Sequence, residues 1–180
     1  MTNVLFLEPE MLDKLRNHLL SGDGEQVAFI FAEATSTEES GVWLSALELH
    51  LCTADDYDSS AFDHISLTDE AQQSIVKRAW DRRVALVELH SHPESLAPAC
   101  FSPFDARGLS EFAPHVRWRL KGQPYAALVF GPSDFDSLVW RTTGKGPELL
   151  YLDLGARLSP TGRTLAVPQL AAFLESSNDV

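Results

Sequence analysis

This chain is poor in cysteine, in basic residues and in long apolar runs. Its two cysteines, Cys52 and Cys100, cannot make a disulfide framework, so a packed core must hold the fold and a reducing cytoplasm is the expected home. Only 14 basic residues face 26 acidic ones, a net charge of −12. That balance argues against nucleic acid as the main partner, because phosphate contacts need lysine and arginine. An acidic surface serves solubility and also suits a partner with a basic face. No apolar run approaches the ~20 residues that span a bilayer, so no membrane partner is expected. The first residues lack a basic region, so they do not read as a secretory leader.

What is present suits one soluble domain. The 180 residues are 44% hydrophobic and 22% charged, enough to bury an adequate core. No repeat, low-complexity tract or linker divides them, so a single domain over residues 1–180 is expected. Met11, Leu12, Leu15, Leu19 and Leu20 recur at helical spacing, which predicts a helix over 8–20. Apolar runs over 27–32 and 42–51, joined by a polar turn over 35–41, read as a hairpin. An acidic loop over 52–63 carries Asp55, Asp56 and Asp58, and a short strand over 64–67 follows. Thr68 caps a second helix whose apolar face carries Ala71, Ile75, Ala79 and Trp80.

The run 84–89 predicts the next strand, and it delivers His90 and His92. Ser102, Pro103 and Asp105 form the cap and first turn of a helix expected to end near Phe112, before Pro114. Strands over 125–130 and 137–140 follow, then a less legible strand at 149–154, a terminal helix at 167–174 and a frayed tail at 176–180. Together these predict an α/β fold, a mixed sheet flanked by helices.

The chemistry lies in Glu88-Leu89-His90-Ser91-His92-Pro93 and Ser102-Pro103-Phe104-Asp105. Three potential metal ligands, His90, His92 and Asp105, and the Ser102 hydroxyl fall within the 16 residues from His90 to Asp105. Side chains two apart on a strand share a face, so His90 and His92 can hold one ion between them. Asp105 can add a carboxylate oxygen. Two histidines, one aspartate and an open position make a catalytic zinc site of one Zn2+ per chain. Pro93 ends the strand. Ser102, as the cap, sits beside the same ion and can donate to a developing oxyanion. The chemistry also needs a general base, for which Glu25 and Glu88 are both candidates. Cys100 is close and is a soft ligand type, but it reads as a small buried residue. His50, His64 and His115 read as incidental.

These motifs resemble those of the JAMM zinc metalloproteases, the catalytic members of the MPN or JAB domain family. That pattern is a glutamate before the first apolar strand, then His-x-His-Pro, then Ser-x-x-Asp. Here Glu25 precedes Val27-Ala28-Phe29-Ile30-Phe31, His90-Ser91-His92-Pro93 matches closely, and Ser102 to Asp105 matches in residue types. The order of elements agrees over about 8–141, with 142–180 an extension of the same domain. The segment of nine residues from Pro93 to Phe101 is two residues longer than the family's usual gap.

The resemblance implies a JAB/MPN, cytidine-deaminase-like sandwich. It implies zinc on His90, His92 and Asp105, Glu25 as general base and acid, and Ser102 as oxyanion stabiliser. It implies a metallopeptidase that cleaves after the C-terminus of ubiquitin or a ubiquitin-like protein, in deconjugation or precursor maturation. Bacterial relatives often act beside an activating or conjugating enzyme. Two other readings remain: a non-catalytic MPN-like scaffold that binds a partner protein, and a zinc hydrolase of a small amide.

Overall fold

A computed structural model describes residues 2–22, 24–37, 41–58, 65–142 and 146–175. His64, the tip of the hairpin turn at 38–40 and the tail at 176–180 lie outside them. In chain order the elements are β1 (Asn3–Phe6), α1 (Pro9–Leu20), β2 (Val27–Thr37), β3 (Gly41–Leu51), a 3-10 turn (Ala54–Asp56), α2 (Asp69–Arg82) and β4 (Ala85–Ser91). Then come α3 (Pro103–Arg119), β5 (Tyr125–Phe130), β6 (Phe135–Trp140), β7 (Pro147–Glu148), β8 (Leu150–Asp153), β9 (Arg157–Leu158), α4 (Arg163–Ala166) and α5 (Pro168–Glu175).

The nine strands of the described residues join one mixed sheet in the order β7-β6-β5-β4-β2-β3-β1-β8-β9. β7 is one end of that order and β8 lies next to the other end, yet only Leu149 separates them in the chain. The sheet must therefore curl strongly, so that its two ends meet. Ser137 on β6 fastens the meeting: its hydroxyl donates to Leu150 O at 2.5 Å and accepts from Leu150 N at 3.2 Å. The Asn3 amide adds hydrogen bonds to Glu148 and to Leu149 O.

Alternation along the central strands gives each face its own core. Val27, Phe29 and Phe31 pack with Leu86, Tyr125 and the buried sides of α2, α3 and α5. Ala28, Ile30 and Ala32 point the other way, with Val87, Leu89, Leu128 and Leu15 and Leu19 of α1. Helices thus cover both faces, as the apolar patterns predict. No helix among the described residues is long and apolar enough to cross a membrane.

α3 departs from expectation. Its start is as predicted, with Ser102 the cap and Pro103 in the first turn, but it continues through Pro114 to Arg119. An interior proline costs about 3 kcal/mol. The turns beyond it bury Val116 and Leu120, and each fully buried aliphatic side chain contributes roughly 1.5–3 kcal/mol. Packing therefore outweighs the break that the sequence suggested.

Candidate metal centre

The motif residues meet where β2 begins, β4 ends and α3 starts. β2 and β4 are antiparallel with Val27 opposite His90. Continuing that register two residues outward puts Glu25 opposite His92. The Gln26 N–H donates to Ser91 Oγ at 3.1 Å and keeps the two chains aligned beyond the last strand pair. On its other side the ladder extends by one bond, from His92 N to Phe130 O at 2.9 Å. Pro93 has no N–H to carry the pairing further, and the chain turns away.

Asp105 arrives by helix capping. Its carboxylate accepts from Ser102 N at 2.7 Å, while Ser102 Oγ accepts from Asp105 N at 3.1 Å. This reciprocal box fixes the carboxylate and satisfies two of the N–H groups that a helix start leaves unpaired. The same Oδ2 atom lies 3.4 Å from His90 Nε2 and 3.3 Å from His92 Nε2. The imidazole centroids are 5.1 Å apart. Phe101, itself buried, packs edge-on against His90 at 5.5 Å and holds its ring. Glu25 Oε1 is 3.5 Å from His92 Nε2.

One atom in this cluster is unsatisfied. His90 Nε2 is buried and has no hydrogen-bond partner. Such an atom costs about 1–3 kcal/mol unless something binds it. A cation there would meet two imidazole nitrogens and a carboxylate oxygen, the donor set of a catalytic zinc site. These three side chains form one of two groups among the described residues whose ligand atoms all lie within 4.8 Å of one another. The electrostatics agree. Burial works against ionising Asp105, but the two imidazoles and the Ser102 N–H outweigh it and hold the carboxyl well below the usual range. Burial likewise opposes charging His90, and the adjoining Asp105 overcomes this and raises its pKa.

The two candidate bases separate. The Glu25 side chain is 36% exposed, against 8% for His90, so it stands at the open side of the cluster. Glu88 sits deeper and accepts from the Tyr125 hydroxyl at 2.6 Å. Burial raises its pKa despite that bond. It lines a cleft of about 500 Å³ that begins at His90 and Asp105 and runs between Ile65 to Leu67 on one side and α3 on the other. His115 lines the same cleft. It reaches the cleft because α3 runs past Phe112 to Arg119.

The cysteines stay out of the cluster. The Cys100 thiol donates to Phe101 O and lies 3.6 Å from Thr164 Oγ1. The Cys52 thiol is buried, and burial pushes its pKa up to about 12, the opposite of an activated nucleophile.

No family model matches the chain, and no curated protein matches it. Among solved structures, a solution structure of protein DSY2949 from Desulfitobacterium hafniense is similar at a TM-score of 0.46 and 14% identity. The alignment covers 83% of this chain and 92% of that one.

Proposed function

We propose that this chain is a zinc metallopeptidase of the JAMM type, with a JAB/MPN sandwich fold, that cleaves after the C-terminal tail of ubiquitin or a ubiquitin-like protein. The observation that carries the reading is the convergence of His90 Nε2, which is buried and makes no hydrogen bond, with His92 Nε2 on one Asp105 carboxylate oxygen. His90, His92 and Asp105 hold the metal. When bound there, zinc supplies Lewis acidity toward the scissile carbonyl and lowers the pKa of a water. Glu25, opposite His92 and open to solvent, takes the proton from the attacking water and delivers it to the leaving amine. The Ser102 oxygen already accepts from Asp105 N, so its own hydrogen is directed elsewhere and steadies the oxyanion. The scissile C-terminal tail lies extended so that its last carbonyl reaches the cluster.

The choice of a ubiquitin-like substrate rests on the motif resemblance. A second reading, a hydrolase of a small amide, draws support from the cleft, whose volume is that of a small-molecule site. A ubiquitin-like fusion and its isolated tail peptide distinguish the two. A much higher kcat/KM for the fusion is expected, and equal values would favour the small amide. The metal itself is tested by elemental analysis, where His90→Ala should lower zinc by one ion per chain. Unchanged zinc in a folded variant would end the metallopeptidase reading.

A further inference from the structure

β3 ends beside a second set of ligand types. His50 and Cys52 are two apart, and Cys52 continues the ladder by donating from its N–H to Val27 O at 3.2 Å. His50 pairs with Phe29 in that ladder. Both side chains therefore leave the sheet on the face that carries Val27 and Phe29. Asp56 comes to them from the 3-10 turn. Its Oδ2 accepts from Thr53 N at 2.7 Å and Thr53 Oγ1 at 3.1 Å, which fixes the carboxylate and leaves the other oxygen for another partner. The ligand atoms of His50, Cys52 and Asp56 all lie within 4.8 Å of one another.

We propose that His50, Cys52 and Asp56 form a second metal site, one that fastens the loop after β3 to the sheet. A thiolate, an imidazole and a carboxylate suit zinc, which is borderline in softness and takes all three. Metal–ligand bonds of about 2.0–2.3 Å place ligand atoms roughly 3.5 Å apart. His50 is half-buried, and rotation of its ring would bring its nitrogen in from the 4.8 Å limit toward the fixed Asp56 carboxylate. With Cys52 only 3% exposed, the ion would be enclosed on the protein side and reached through the His50 and Asp56 edge.

The loop so fastened shapes the cleft. Asp56 O accepts from Thr68 N at 2.9 Å, and Tyr57 bridges to Leu67, a residue of the cleft wall. The Tyr57 hydroxyl also accepts from Val27 N at 2.9 Å and donates to Gln26, next to Glu25. An ion on Asp56 would hold both the wall and the entry strand in place. This inference does not depend on the proposed peptidase activity.

Cobalt(II) substitution tests it, because only a sulfur ligand gives thiolate-to-cobalt charge-transfer absorption, and His90, His92 and Asp105 supply no sulfur. The intact protein should bind two cobalt ions per chain and show the band. His90→Ala should keep the band and lose one ion. Cys52→Ser should lose both the band and one ion, and Cys100→Ser should lose neither. If Cys52→Ser does not fold, the half-exposed His50→Ala should also drop one ion per chain after dialysis. A cobalt-loaded wild type with no such band, or a band that survives Cys52→Ser, overturns the proposal.

Discussion

Replacing Glu25 and Glu88 one at a time by glutamine separates chemistry from packing. Glu25 stands at the open edge of the cluster, 3.5 Å from His92 and outside the ligand set. Glutamine there keeps the shape but cannot take a proton at neutral pH. Loss of a general base lowers the rate by about 10²–10⁴-fold, equivalent to about 3–5 kcal/mol of barrier. Zinc content should not change, and stability should move by less than about 0.5 kcal/mol at so exposed a site. Glu88 should behave oppositely. A glutamine oxygen can still accept from Tyr125, so kcat/KM should stay within a few fold. Its raised pKa means that its contribution to stability is present below the unfolded value of about 4.3 and lost as pH rises through the folded value. Glu88→Gln should therefore gain stability relative to wild type as pH rises. The assays are zinc content, kcat/KM on a ubiquitin-like fusion, and urea unfolding across pH. Normal turnover in Glu25→Gln with a dead, zinc-loaded Glu88→Gln would refute the assignment.

The metal-free protein should lose stability in acid. The depressed pKa of Asp105 stabilises the fold above the unfolded value of about 3.9, and that share disappears as pH falls toward the folded value. Urea titrations of Asp105→Asn should show a shallower acid slope, and an identical slope would remove Asp105 as the source. Thr164→Val should cost about 1–3 kcal/mol, because it leaves the buried Phe101 N–H without its acceptor. It should also lower kcat, whereas a purely structural effect would change only the unfolding midpoint. Cys100→Ser should leave kcat/KM within a few fold, and complete loss of activity with zinc retained would point to thiol chemistry.

What the sequence made legible was local. The His-x-His-Pro run and the Ser-x-x-Asp cap sit on a strand end and a helix start, and both carry short-range signals: a proline that stops pairing, and a serine with an aspartate three residues on. α1, α2 and the β2–β3 hairpin were likewise legible from periodicity. β1, β7 and β9 were not. They are two to four residues long, too short for any period, and exist because a neighbouring strand pairs with them. The place of Glu25 depends on the β2–β4 register, a tertiary fact that no spacing encodes. His50 looked incidental for the same reason, since its proximity to Asp56 depends on how the loop after β3 folds back.

The long segment between His92 and Ser102 shows how the site tolerates its extra residues. Its middle is exposed at Leu96, Ala97 and Pro98, so added length there meets only solvent. Its far end is held by residues outside the region that resembles the JAMM pattern. Ala99 O accepts from the Thr161 hydroxyl at 2.6 Å, and Phe101 N donates to Thr164 Oγ1 at 3.1 Å. Thr164 is in turn fixed by the buried Asp136, which accepts from its hydroxyl at 2.6 Å and its N–H at 2.9 Å. Asp136 also accepts from the N–H groups of Ser137 and Gly162, so a buried carboxylate is satisfied by four donors. The near end is tied by His92 N to Phe130 O. Both ends are thus set by β5, β6 and the segment around α4, whatever the loop between them does. Ser102 follows directly from the anchored Phe101, and Asp105 follows from Ser102 through the capping box. The C-terminal extension therefore belongs to the architecture of the cluster: through Phe101 and Ser102 it positions Asp105 beside His90 and His92.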